Sequence, residues 1–220
     1  MAARPTFDHE LEQLNTDLIR MGALVEEAIE KVVSAFQNED YQLAKSIVEH
    51  DRQINEIEKI IESRSLSLML RQQPVAGDLR LVSTALKVVT DMERIGDQAA
   101  DIAELILHIK GPHIYEVVQH IPDMAKNTKQ MVHDAIRAFV DRDLELAGEV
   151  VRQDDTVDDL FNKVKAEVVK IMKTENAPVD HGIDFLMIAK YLERIGDHAV
   201  NICEWLEFRQ TGTINQTRLL

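Results

Sequence analysis

Cysteine occurs once in 220 residues, at Cys203, which excludes an internal disulfide framework and suits a reducing compartment. No apolar run approaches the ~18 residues that a membrane span needs, and the opening MAARPTFDHELEQL lacks the apolar core of a signal peptide. A soluble cytoplasmic protein is therefore the expectation. An excess of positive charge is also missing: 39 acidic against 25 basic residues give a formal charge of -14. Phosphate backbones and anionic lipid surfaces should repel such a chain, so nucleic acid is not an expected partner. The sequence shows no Gly-rich phosphate loop, zinc-finger spacing or Ser-His-Asp pattern. Glu-x-x-His, the signature of di-iron carboxylate bundles, is absent too. Glycine (8), proline (5) and aromatic residues (5%) are all scarce, a combination that favours an all-helical chain.

What is present fills that outline. Hydrophobic residues make up 45% of the chain, enough for a substantial core. From Leu11, apolar residues recur in steps of three and four: Leu14, Leu18, Met21, Val25, Ala28 and Val32. This spacing predicts a helix with a narrow buried seam. A second helix is expected from Tyr41, carrying Leu43, Ile47, Ile54, Ile57, Ile61 and Leu68, and stopping before Pro74. The third begins near Gly77-Asp78 and ends at Gly111-Pro112.

The pattern then begins again. A fourth helix follows Pro122 and runs to about Arg142; a fifth runs from Leu146 to Ile171 with the spacing of the second helix, displaced by 103. The sixth, beyond Pro178, repeats the third displaced by 100, and AFQNEDYQLA against AFVDRDLELA repeats the first junction. An all-α fold of two tandem three-helix bundles, related by internal duplication, is predicted. The bundles are assigned to residues 1–111 and 112–220, with a frayed tail from about Gln210.

Polar letters are repeated along with the apolar ones. DMERIGDQAADIAE and YLERIGDHAVNICE agree at eight of fourteen positions. Glu93, Asp97 and Asp101 stand at i, i+4 and i+8, as do Glu193, Asp197 and Asn201, which puts each trio on one helix face. At about 100° per residue the carboxylates fall opposite the core seam and are expected to look outward. The preceding helices supply Asp51 with Asn55, and Asp154 with Asp158. Two acidic ladders could thus converge in each half, offering oxygen donors suited to Mg, Mn, Ca or iron. An outward acidic stripe is also what an ordinary solvated face looks like. Gly96 and Gly196 cost a helix about 1 kcal/mol each relative to alanine, which implies that a neighbour needs the space. His198 reads as a surface histidine, and Cys203 beside Trp205 as a small core residue.

The duplicated ERIGD, the approach RQQPVAGDLR, the segments HDRQINEIE and QDDTVDDLF, and ICE near the end resemble the PhoU family of phosphate-specific transport accessory proteins over nearly the whole chain. The resemblance implies two three-helix bundles in a cytoplasmic protein, commonly a homodimer. It implies a negative regulator of phosphate uptake and of the phosphate starvation response. Its partners would be the ATPase subunit of the phosphate ABC transporter and a sensor histidine kinase, with membrane association only through them. It also implies a bound divalent or trivalent metal (Mg, Mn, Fe, Zn or Ca), carried over to Asp51, Asn55, Glu93, Asp97 and Asp101 in one half and to Asp154, Asp158, Glu193, Asp197 and Asn201 in the other. No enzyme activity is implied. The competing expectation is a metal-dependent hydrolase or redox enzyme using water bound at the same carboxylates.

Overall fold

Each helix carries one apolar stripe, and burial of those stripes against one another sets the architecture. The computed structural model describes residues 5–75, 77–109, 118–173, 179–214 and 217–218. Within them, α1 spans Pro5–Asn38, α2 Tyr41–His50, α3 Arg52–Gln72, α4 Gly77–His108, α5 Ile121–Asp141, α6 Leu144–Met172 and α7 Val179–Thr211. The all-α duplicated fold read from the sequence is therefore present. The 111/112 boundary and the Gly111-Pro112 stop lie outside the described residues.

Two details differ from expectation. The predicted second helix is divided at Asp51: the Asp51 N–H still bonds to the Ile47 carbonyl at 3.2 Å, but the Ile54 N–H reaches back only to Asp51, at 3.0 Å. Its counterpart α6 passes through Asp154 without interruption. The tail is not simply frayed. After α7, Gly212 takes a left-handed φ of 79°, and Thr213–Ile214 pairs antiparallel with Thr217–Arg218. The Thr211 hydroxyl accepts from the Thr213 N–H at 3.0 Å.

The duplication extends to the corners. Asp40 caps α2 by accepting from the Gln42 and Leu43 N–H groups, and Asp143 caps α6 by accepting from those of Glu145 and Leu146. The residue before each cap, Glu39 or Arg142, is left-handed at φ 52° or 59°. The two halves then pack crosswise. Lys129 on α5 reaches Glu30 on α1 at 2.7 Å, and His133 reaches Glu26 at 3.2 Å. On the other pair, Asp91 of α4 meets His198 and Asn201 of α7, while Arg80 meets Arg209. Both pairs therefore run antiparallel about a pseudo-twofold relation. One continuous core results, from Leu14, Met21 and Val25 of α1 through Met92 and Ile95 of α4 to Ile195 and Ile202 of α7. The acidic segments of α3 and α6 lie outside this four-helix centre, each against its own ERIGD helix.

Candidate metal centres on the duplicated helices

Gly96 and Gly196 allow the second helix of each half to approach the third. A Cβ on Gly96 would meet Ile54 Cδ1 at 2.7 Å and Cγ2 at 3.2 Å; on Gly196 it would meet Asp154 Oδ1 at 3.3 Å and Met131 Cε at 3.6 Å. Close approach brings the predicted ladders together. In the first half the Asn55 amide donates to Asp51 Oδ2 at 3.0 Å. Burial raises the Asp51 carboxyl pKa, and the charge of Asp97 and then of Asp101 adds to the rise, against the Asn55 hydrogen bond. Glu93 is pushed up to about 7 by burial first, then by Asp97 and Glu58, with Arg94 opposing and a hydrogen bond to Asp97 favouring its protonated form. Arg94 bridges the pair, 3.5 Å from Glu93 and 3.7 Å from Asp97.

The second half repeats the convergence with other neighbours. Asp154 is pushed up to about 6 by burial, then by Asp197, Asp158, Asp155 and Glu193. Asp197 is raised by burial and then by Glu193, with Lys190 opposing. Lys190 hydrogen-bonds Glu193 and sits 5.5 Å from the Phe161 ring centroid.

Not every ladder residue points into its own half. Asn201 donates its amide to Asp91 Oδ1 at 3.0 Å, and His198 contacts the same oxygen at 2.8 Å. The related position on the other side, Tyr191, hydrogen-bonds Asp101. Asp101 and Asn201 therefore sit on the α4–α7 seam. His198, expected at the surface, is a seam residue with 17% of its side chain exposed. The outward orientation of the glutamates also needs correction: only 16% of the Glu93 and 15% of the Glu193 side chain is exposed. Helical angle specifies direction from the axis, and in both cases the adjoining helix covers that direction. Cys203 is buried as expected, and burial pushes its thiol up to about 12.

One contributor escaped the sequence reading. Glu58 carries a raised pKa through burial, then Glu62 and Asp97. Its signal was present: Asp51, Asn55 and Glu58 stand at i, i+4 and i+7, one helical face. The aligned residue in the other half is Phe161.

Whether these residues suit a metal ion can be judged from their oxygens. Asp51 Oδ1 and Asn55 Oδ1 are both buried without a hydrogen-bond donor, and an unsatisfied buried acceptor costs about 1–3 kcal/mol. Two such oxygens beside the charge of Asp97 form a hard-donor set that a cation would satisfy. Among the described residues, no three or more His, Cys, Asp or Glu side chains are grouped so that they could hold a metal ion as they stand. The donors fit in type; the cage is not preformed.

Comparison with known proteins adds the lineage. A family model described as "PhoU domain" matches residues 18–106 and again 121–206. A phosphate-specific transport system accessory protein PhoU homolog from Clostridium acetobutylicum is 39% identical over 95% of this chain and 96% of its own. The PhoU accessory protein of Escherichia coli K12 is 30% identical over 97% and 92%. The crystal structure of PhoU from Pseudomonas aeruginosa superimposes with a TM-score of 0.87 at 34% identity, covering 94% of this chain and all of that one.

Proposed function

This chain belongs to the PhoU family, and we propose that it serves a phosphate-specific transport system as a non-enzymatic, cytoplasmic accessory protein. In this reading it restrains phosphate uptake and the starvation response as an adaptor between the transporter ATPase and a sensor histidine kinase, acting as a homodimer. What supports the accessory role is likeness over nearly the full chain to proteins that carry that description. No helix among the described residues is long and apolar enough to cross a membrane, so contact with a transporter would run through protein surfaces.

The metal-binding part rests on one observation, the paired orphan oxygens of Asp51 and Asn55. Asp51, Asn55, Glu93 and Asp97, with Asp101 adjoining, would hold a cation in the first half; Asp154, Asp158, Glu193 and Asp197, with Asn201 adjoining, would do so in the second. A bound cation supplies charge that offsets the mutual repulsion of these carboxylates and fixes the α3–α4 and α6–α7 faces. The residues themselves supply oxygen donors, while Arg94 and Lys190 hold the two glutamates in place until charge arrives.

The adaptor reading is tested by affinity purification of the tagged chain from detergent-solubilised cells grown with high and low phosphate. Enrichment of a phosphate transporter ATPase or its sensor kinase, changing with phosphate supply, is expected. Repeated absence of both, with metal-dependent turnover in a phosphoester screen, would transfer the assignment to an enzyme.

A further inference from the structure

Around the two acidic convergences, three aligned positions reverse their charge. Glu58, Glu62 and Thr90 of the first half correspond to Phe161, Lys165 and Lys190 of the second. The first trio carries two negative charges and no positive one; the second carries two positive charges and no negative one. Both trios keep the same places in the fold. Asp51, Asn55, Glu58 and Glu62 stand at i, i+4, i+7 and i+11 from the N-cap of α3, on one face, and Asp154, Asp158, Phe161 and Lys165 repeat that spacing along α6.

Contacts carry the reversal into the second centre. The Lys190 ammonium hydrogen-bonds Glu193, and the same Nζ lies 5.5 Å from the centroid of the Phe161 ring. Lys165 Nζ is 5.7 Å from that centroid, so one ring links α6 to α7 through two ammonium groups. Within one turn of Glu193, Asp154 Oδ1 lies 3.3 Å from the place a Cβ on Gly196 would take. In the first half, position 90 supplies no cation: the Thr90 hydroxyl turns back to the Leu86 carbonyl at 3.1 Å. Arg94 approaches Glu93 and Asp97 there, but Arg194 repeats it in the second half, so this arginine is common to both. Asp51 Oδ1 and Asn55 Oδ1 are left buried without a donor, whereas no oxygen of Asp154 or Glu193 is.

We propose that Lys190 is a built-in counter-ion of the second centre, so that the two centres load in order: the first half takes a divalent cation tightly, and the second takes one only at higher metal concentration, once Lys190 leaves Glu193. This ordering rests on the reading of both convergences as metal centres. An ammonium–carboxylate hydrogen bond is charge-assisted, and an incoming cation that needs the same carboxylate must break it. Lys165 and Lys190 also repel that cation, whereas Glu58 and Glu62 attract one to the first half. The Phe161 face keeps the ammonium beside the centre. An ion pair at i, i+3 that served the helix alone would add slightly to helix stability and leave metal affinity unmoved.

Mn²⁺ is the probe, titrated into chelator-treated full-length protein while the free ion is followed by electron paramagnetic resonance. Two classes of site at least about tenfold apart in Kd are expected, the tighter lost in Glu93→Gln/Asp97→Asn and the weaker in Glu193→Gln/Asp197→Asn. Lys190→Thr, which installs the residue of the first half, should tighten the weaker class by about tenfold and leave the tighter one where it was. Lys190→Arg should keep the weaker class weak, and circular dichroism should show both Lys190 variants as helical as the parent. One class of equal sites, a tighter class that belongs to the second half, or a weaker class unmoved by Lys190→Thr would overturn the ordering. Absence of bound Mn²⁺ in the parent, or its full retention when all four carboxylates are replaced, would overturn the metal reading itself and the ordering with it.

Discussion

The two halves share a pentapeptide and a backbone, yet they surround it differently. In the first, the supporting helix breaks at Asp51, Ile54 fills the space over Gly96, and Glu58 adds a further carboxyl. In the second, α6 runs straight, and the Asp154 carboxylate with Met131 fills the space over Gly196. Phe161 stands where Glu58 would be, beneath Lys190. The first centre therefore combines more buried acid with an amide, Asn55, that supports only one oxygen of Asp51; the second has fewer buried carboxyls and a lysine tied to its glutamate. Where Met131 lines the second half, the aligned residue is Ala28, and a cleft opens beside Asp51 between Ala28, Gly96, Ala100, Ile47 and His50. Repetition of a motif fixes donor type; its non-repeated neighbours fix the charge balance and the access.

The glycines give the largest contrast. Gly96→Ala forces Ile54 to move, an overpacking cost of about 1–3 kcal/mol, against a helix-propensity gain of about 1 kcal/mol. Gly196→Ala meets the Asp154 carboxylate oxygen at a tight 3.3 Å, which a shift of a few tenths of an ångström relieves, and a flexible methionine at an ordinary 3.6 Å. Urea denaturation should therefore show a net loss in the first variant and a change near zero, or a slight gain, in the second. Equal losses would mean that the two helix contacts are equivalent after all.

Protonation separates the halves by pH. Glu93 titrates at about 7 in the folded protein against an ordinary 4.5, and Asp154 at about 6 against 3.8. For both groups the folded value is the higher, so the stability each contributes is fully present below its ordinary value and is lost as pH rises through its folded value. Metal-free protein should accordingly melt at a higher temperature at about pH 6 than at about pH 8. Glu93→Gln should remove most of that difference and raise the Tm at the higher pH by roughly 2–4 °C. Asp154→Asn should remove the loss of stability that develops between about pH 4 and 6, so its Tm gain is absent below that window and complete above it. A pH profile unchanged by Glu93→Gln would show that its burial carries no net cost.

A smaller effect is expected from the seam. Tyr191→Phe removes the hydrogen bond to Asp101, and Asn201→Ala one of the two contacts to Asp91; each should cost about 1 kcal/mol by denaturant midpoint. Tyr191→Phe should disturb carboxyl titrations in the first half even though Tyr191 belongs to the second. Confinement of its effect to the second half would break the crosswise picture.

These contrasts mark how far the sequence could be read. The helices were legible because apolar residues at steps of three and four leave few alternatives, and the duplication because Asp40/Asp143 and the two ERIGD copies repeat polar letters that packing alone does not demand. The break at Asp51 was not, since Asp51 itself keeps helical dihedrals and the change lies in which carbonyl Ile54 reaches. Coverage of Glu93 and Glu193 depends on the adjoining helix, which a single helical wheel omits. His198 looked exposed for the same reason: its partner Asp91 is 107 residues away. Glu58 was readable from i, i+4, i+7 spacing, but its lack of an acidic counterpart in the second half left the duplication silent about it.

Metal binding at both acidic convergences, with the first-half centre built differently from the second, is the proposal most exposed to experiment. Its most direct test is elemental analysis after equilibrium dialysis of the full chain against Mn²⁺, compared with Glu93→Gln/Asp97→Asn, Glu193→Gln/Asp197→Asn and the four-fold variant, with helix content monitored throughout. Each double variant should lose its own half's share of metal, the four-fold variant should lose all of it, and every variant should remain helical. Metal content unchanged in the four-fold variant would contradict the proposal.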